Sequence, residues 1–164
     1  MKGSFVIGKI KGIEIEINLS WLIIFGLITF MMATNFFPQN YPDISPIIGW
    51  VLGSIMAILM LLSILLHELS HSIVSINQGI EVKKITLFIF GGIAQLDKEP
   101  DNPIQELKIA LAGPAMSLLL FLIFTFIYNF LGYLGVESYL IAPLIYVSSV
   151  NLIIVLFNMV PAFP

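Results

Sequence analysis

The chain has 164 residues, of which 59% are hydrophobic and 10% are charged, and its mean hydropathy is +1.03. A soluble domain typically carries about 25% charged residues, so this composition excludes an ordinary soluble globular protein. The net charge of −3 and the lack of a basic cluster argue against a nucleic-acid partner, and the absence of cysteine excludes disulfides and thiolate metal ligands.

Two segments, residues 5–18 and 82–96, are predicted to be extended. In the first, isoleucines alternate with polar residues after Gly12, which is the period-two pattern of a half-buried strand following a turn. In the second, a run of β-branched and aromatic residues is interrupted by Gly91 and Gly92. This glycine pair indicates a bend or a close approach of another group to the backbone.

Four apolar segments are predicted to cross a membrane, because each is about long enough to span roughly 30 Å of hydrocarbon. They lie at about residues 19–37, 47–76, 109–131 and 139–157. A proline-containing loop is predicted at 37–43, and Asn102 followed by Pro103 is typical of a helix start. We therefore expect one membrane α-helical domain over residues 1–164, with about four transmembrane helices and a small β-strand element at the cytoplasmic side of the membrane.

The second predicted span contains the five residues His67-Glu68-Leu69-Ser70-His71. Positions i and i+4 of a helix lie on one face, so His67 and His71 can direct their imidazoles at one metal ion, while Glu68 can reach a water beside it. Both histidines of the chain belong to this motif, and Glu68 is the only charged residue between Ile44 and Ile80. An ionisable residue at membrane depth costs roughly 2.5–3.5 kcal/mol of insertion free energy. A residue that is present despite this cost indicates a functional site.

Two other interpretations of this motif remain open at this point. In a soluble protein the same pattern can occur by chance on a solvated helix face, but no polar face surrounds these residues. In a membrane protein, histidine and glutamate can instead form hydrogen bonds between neighbouring helices.

The distribution of basic residues predicts the orientation. The chain has seven lysines and no arginine, and the lysines are Lys2, Lys9, Lys11, Lys83, Lys84, Lys98 and Lys108. With four spans, all of these lie on one side, whereas the loops on the other side carry only Asp43 and Glu137 as charged residues. By the positive-inside rule, the N-terminus and the loop at 77–108 are predicted to be cytoplasmic in a multi-pass protein of the cell membrane.

Taken together, these residues resemble the site-2 protease family of intramembrane zinc metalloproteases, in its short archaeal or bacterial form. The resemblance covers nearly the whole chain. The resemblance rests on four segments: His67-Glu68-Leu69-Ser70-His71, Phe90-Gly91-Gly92, Ala112-Gly113-Pro114-Ala115-Met116-Ser117 and Phe157-Asn158-Met159-Val160-Pro161-Ala162-Phe163-Pro164. The first and last are specific, whereas the two glycine-containing elements alone would favour a plain turn and helix packing through small residues.

The resemblance implies a zinc-dependent endopeptidase that cleaves transmembrane segments of other membrane proteins, in regulated intramembrane proteolysis, with the lipid bilayer as its surroundings. His67 and His71 would bind Zn²⁺, and Glu68 would act as the catalytic proton acceptor and donor. The residues expected to contact substrate are Asn158, Gly91 and Gly92. Asn158 would donate a hydrogen bond to the developing oxyanion or to the substrate backbone, although an interhelical hydrogen bond is the alternative.

Substrate must be extended where it is cut, because a helix hides its carbonyls. A strand around Ile85–Phe90 is expected to offer an exposed edge for pairing with an unwound substrate. The alternative is that this strand forms a purely structural sheet with the segment at 5–18.

The third zinc ligand is not among the residues above. In this family an Asn-x-x-Pro segment leads to an Asp-Gly pair whose aspartate is that ligand, and the present sequence ends at Pro164, about two positions earlier. Either the sequence is truncated before the Asp-Gly pair, or the chain has only two protein ligands. We expect truncation, and therefore a chain that is inactive as given. Two functions other than proteolysis stay open: a non-proteolytic scaffold of the same family, and a metal or proton transporter.

Overall fold

The computed structural model describes residues 3–159, which form four strands and a series of helices. The strands are β1 (Ser4–Ile10), β2 (Ile13–Asn18), β3 (Val82–Phe88) and β4 (Gly91–Leu96). The helices are α1 (Leu19–Met31), α2 (Phe37–Asn40), α3 (Pro46–Asn77), α4 (Pro103–Tyr133) and α5 (Ser138–Met159). Within the described residues they form two compact units, one built from the N-terminal part up to residue 23 and from residues 64–116, the other from residues 24–63 and from residue 117 onward.

Four helical segments are long and apolar enough to cross a membrane, in agreement with the four predicted spans. They are Leu19–Asn40, Pro46–Asn77, Pro103–Tyr133 and Ser138–Met159. With the small sheet, they confirm the predicted class, a membrane α-helical protein with a minor β element. α3 has 32 residues and is therefore about 48 Å long, so it extends beyond roughly 30 Å of hydrocarbon.

The third span begins earlier than predicted, at Pro103 rather than near residue 109. The side chain of Asn102 caps this helix, because its Oδ1 accepts a hydrogen bond of 3.0 Å from the backbone N–H of Gln105. The prediction of the start at Asn102-Pro103 was right, but the polar first turn was left out of the span.

The end of the first span also differs from the prediction. Residues 37–40 were predicted to be loop, yet a π-helical turn (Met32–Phe36) joins α1 directly to α2. The backbone N–H of Phe37 bonds to the carbonyl of Met32, five residues earlier. Because Pro38 lacks an N–H and crowds the preceding turn, a widened π turn lets the helix continue through it.

The sheet has the order β1-β2-β3-β4 and lies in the first unit. β1 and β2 form an antiparallel hairpin, β3 and β4 form another, and β2 pairs with β3 in parallel. Each segment predicted as extended is therefore a hairpin rather than a single strand. β3 lies between two neighbours, so the expectation of an exposed edge at Ile85–Phe90 is wrong. The alternative, a structural pairing with the N-terminal segment, is confirmed.

One face of this sheet carries the apolar side chains that hold the unit together. Ile15 is paired with Ile85, and Ile17 with Leu87, and all four are buried. Leu87 is in turn paired with Gly92 of β4, which places Gly92 on the same face. Isoleucine and leucine at alternating positions thus direct the buried face of the sheet, with Gly92 on it, toward the rest of the unit.

The end of α3 is set by a glycine. Gly79 has φ +80°, a conformation that residues with a side chain rarely adopt. The N–H groups of Gly79 and Ile80 bond back to the carbonyls of Ile76 and Ser75, at 2.9 and 3.0 Å, which is the Schellman pattern of helix termination. This turn leads the chain directly into β3.

The second unit is a helical core. Phe37 and Met56 are fully buried in it, and a Cβ added at Gly53 would lie 3.1 Å from Met32 Cβ. Small residues allow membrane helices to approach this closely. The buried Asn151 donates hydrogen bonds to Ser63 Oγ at 3.0 Å and to its own helix, so polar contacts also hold this core.

Candidate metal centre

The motif residues lie in the last third of α3, in a stretch that forms a regular helix. Residues 54–77 contain neither glycine nor proline, and so nothing interrupts the helical spacing. His67 and His71 are therefore one turn apart on one face, as the sequence predicts. His67 is buried, with 5% of its surface exposed, while Glu68 and His71 are partly buried.

The two imidazole rings face each other through their Nε2 atoms. The Nε2 atoms of His67 and His71 are 3.2 Å apart. Two nitrogens at about 2.0–2.1 Å from one Zn²⁺ and this far apart subtend roughly 100–105°, which is close to the tetrahedral angle. The pair therefore fits two positions of a zinc site.

The backbone of α4 fixes the orientation of His71. Its Nδ1 lies 2.7 Å from the carbonyl oxygen of Ile109. A carbonyl only accepts hydrogen bonds, so Nδ1 carries the proton and donates, and the neutral ring keeps its lone pair on Nε2. Metal-binding histidines commonly have such a partner on their other nitrogen, because it selects the tautomer and orients the ring.

Gly113 of α4 lies directly against both imidazoles. A Cβ built at this position would fall 2.6 Å from His67 Nε2 and even closer to His71 Nε2. Pro114 follows and has no N–H for the carbonyl one turn earlier, so backbone hydrogen bonding in this turn of α4 is weakened. The Gly-Pro element, which alone favoured simple helix packing, thus forms one wall of the site.

Glu68 lies against β4. A Cβ built at Gly92 would approach the Cγ of Glu68 closely and would lie 3.1 Å from its Cδ. Only a glycine leaves room for this carboxylate, which is the close backbone approach that the Gly-Gly pair predicts. Glycine is favoured at position 91 for a different reason. Its φ is +133°, a conformation that residues with a side chain rarely adopt, whereas an added Cβ would meet nothing within 4 Å.

The remaining predicted site residues are placed as follows. Asn158 is exposed in the last turn of α5, where its side-chain amide donates to the carbonyl of Ile154 at 2.8 Å. Its role in substrate binding, like that of Gly91 and Gly92, stays a prediction. Residues 160–164, which complete the Asn-x-x-Pro segment, lie outside the described residues.

Within residues 3–159, no group of three or more histidine, cysteine, aspartate or glutamate side chains is arranged to hold a metal ion. The donor set in this part of the chain is therefore the histidine pair, with Glu68 beside it. A third ligand stays a prediction.

Sequence reasoning missed the contact between His71 and the carbonyl of Ile109. Every residue has a backbone carbonyl, so the residue type at 109 gives no signal. The nearby Gly-Pro step indicates where α4 comes close to α3, but it does not indicate which carbonyl His71 binds.

Comparisons with known proteins identify the family of the chain. The family model described as Peptidase family M50 matches residues 55–139. A Synechocystis protein named as a zinc metalloprotease is 41% identical over the whole chain, and Rip3 of Mycobacterium tuberculosis, also named as a zinc metalloprotease, is 33% identical over it. The chain spans 42% of the length of each of these relatives.

Among solved structures, the site-2 protease from Methanocaldococcus jannaschii superposes with a TM-score of 0.69 at 30% identity. The match covers 98% of the present chain and 66% of that one. The family match extends over more than half of the chain and includes the histidine motif, α4 and the hairpin between them. The chain accordingly belongs to Peptidase family M50, the site-2 protease family of membrane metalloproteases, and is a multi-pass membrane protein.

Proposed function

We propose that the protein is a zinc-dependent intramembrane endopeptidase that cleaves transmembrane segments of other membrane proteins. The observation that carries the proposal is the pair of Nε2 atoms 3.2 Å apart in a long apolar helix, with Glu68 between the two histidines in sequence. Two relatives that are named zinc metalloproteases support the choice of metal.

When bound, zinc would supply an activated water and a positive charge that polarises a peptide carbonyl. His67 and His71 would hold the ion, and Ile109 would keep His71 in the tautomer that leaves Nε2 free. Glu68 would accept a proton as the carbonyl is attacked and then deliver it to the leaving amine. By the family pattern, the third ligand would be an aspartate that follows the Asn158–Pro161 segment.

Substrate would bind along β4. In the described part of the chain, β4 pairs only with β3 and so has one free edge. A peptide strand added there would lie about 4.8 Å from β4, and Gly92 would bring it beside Glu68. From the sequence, the substrate-binding edge was expected at Ile85–Phe90. The edge proposed here belongs to the next strand, at Gly91–Leu96. In regulated intramembrane proteolysis, this substrate would be a transmembrane helix that has unwound where it is cut.

The test is the Glu68→Gln variant of the full-length protein in lipid vesicles that contain a model transmembrane substrate. Glutamine is nearly isosteric but cannot accept a proton, so cleavage should fall on the order of 10²–10⁴-fold while bound zinc stays unchanged. Turnover near the wild-type rate would exclude this role for Glu68. Wild-type protein that binds zinc but cleaves no substrate would favour a non-proteolytic scaffold.

A further inference from the structure

We propose that Gly113 allows the imidazoles of His67 and His71 to keep the arrangement in which both Nε2 atoms can bind one metal ion, so that any side chain at this position lowers metal affinity. The proposal rests on the zinc binding proposed above. Its basis is steric: the added Cβ at position 113 would lie within about one metal–ligand distance of His71 Nε2 and 2.6 Å from His67 Nε2.

The arrangement in question is that of the two Nε2 atoms, which are 3.2 Å apart. An ion bound to both histidines would be close to 2.0–2.1 Å from each Nε2. A Cβ at position 113 would lie nearer to both nitrogens than 3.0 Å, a distance below which such contacts essentially never occur. Even the smallest side chain would therefore displace at least one of the two rings.

The Cβ added at position 113 would clash with side chains rather than with backbone atoms. The nearest atoms to the added Cβ are Nε2 of both histidines and Cδ2 of His71. Imidazole rings can rotate, so the chain can fold with alanine at 113, but the rings then lose the arrangement that directs both Nε2 atoms at one point. Rotation of His71 also breaks its 2.7 Å hydrogen bond to Ile109.

Gly132, in the same helix, provides a matched control. A Cβ added there would meet only Ile141 Cδ1, at 3.8 Å, which is an ordinary van der Waals contact. Gly113→Ala and Gly132→Ala make the same chemical change within one helix. They differ in whether the new methyl group faces the histidine pair.

The first experiment is a zinc titration of the full-length protein and the two variants. Gly113→Ala should lower zinc affinity by at least roughly 10–100-fold, the loss typical when the groups that orient metal ligands are disturbed. Gly132→Ala should bind zinc as the wild type does. Equal affinity in all three proteins would overturn the proposal for Gly113 and leave the proposed function standing.

The second experiment uses metal-free protein, so its result does not depend on zinc. Gly113→Ala should lower the Tm of the chelated protein, and this loss should disappear in the His67→Ala, His71→Ala background, because the obstructing rings are gone. An equal loss of Tm in both backgrounds would show that the methyl group meets something else, and would contradict the proposal. Wild-type protein that binds no zinc would count against the proposed function instead.

Discussion

At the residue scale, glycines from two different elements set the space around the motif. Gly92 of β4 leaves room for Glu68, and Gly113 of α4 leaves room beside the imidazoles. The two contacts are separate, so the carboxylate and the histidines can be disturbed one at a time. This separation makes the roles of Glu68 and the metal experimentally distinguishable.

Gly92→Ala should lower cleavage while zinc binding stays unchanged. The new methyl group would displace the carboxylate of Glu68, and a misplacement of about 1 Å can cost on the order of 10²-fold in rate. The measurements are substrate cleavage and zinc content of the full-length protein. Gly8→Ala in β1 is the control, because a Cβ there has nothing within 4 Å. Loss of zinc from Gly92→Ala would contradict the separation of the two contacts.

The placement of His67 and His71 on one helix face is predictable from the sequence, because helical spacing alone brings them together. It also indicates that Gly92 is closely approached, but not by which side chain, since that depends on how β4 meets α3. The hydrogen bond to Ile109 is not predictable, because it uses the backbone.

At the element scale, the parallel pairing of β2 with β3 joins two parts of the chain that are about 70 residues apart. Lys84 and Thr86 of β3 both donate hydrogen bonds to the carboxylate of Glu16 on β2, at 2.9–3.1 Å. The side chains of Glu16 and Lys84 are only 12% and 29% exposed. This contact therefore stabilises the pairing more than an ion pair in full solvent would.

The Glu16 contact should make stability depend on pH. Hydrogen bonding to Lys84 lowers the pKa of Glu16, although burial opposes the shift. Because the folded-state pKa is depressed, the contribution is present above the unfolded-state pKa of about 4.3 and is lost as pH falls through the folded-state value. Glu16→Gln should thus cost on the order of 1 kcal/mol at pH 7 and much less near pH 3.

Thermal unfolding of Glu16→Gln in detergent at both pH values measures this difference. Asp97→Asn removes the ion pair with Lys83, whose partners are about half exposed, and should have a smaller effect. A Glu16→Gln cost that is the same at pH 3 and pH 7 would show that the carboxylate charge does not contribute.

Element types were predicted more reliably than element boundaries and neighbours. Hydrophobicity and length identify four spans, and alternation identifies strands, since both patterns are local. Strand order is not local: nothing between residues 82 and 96 indicates that β3 has a neighbour on each side and that β4 is the edge. The π turn before Pro38 could likewise not be predicted from the sequence, because proline normally indicates the end of a helix.

At the scale of the whole molecule, the pairing of β2 with β3 constrains the membrane topology. β2 precedes the first span, and β3 follows the second. Strands can pair only on the same side of the bilayer, so the N-terminal hairpin and the loop that contains β3 and β4 lie together, as an even number of crossings requires. Every lysine of the chain is in one of these two segments or in the first turns of α4, apart from Lys2, which lies outside the described residues.

The one-sided lysines predict which side this is. Residues 77–108 should face the cytoplasm, and residues 38–45 the opposite side, because positive loops are retained in the cytoplasm. Residues 1–164 contain no cysteine, so a single cysteine can report its own position. In intact cells an impermeant thiol reagent should label Ser45→Cys but not Lys98→Cys, and it should label both after the membrane is opened. Labelling of Lys98→Cys from outside would reverse the proposed orientation, and would place β4 and its substrate edge on the outer side.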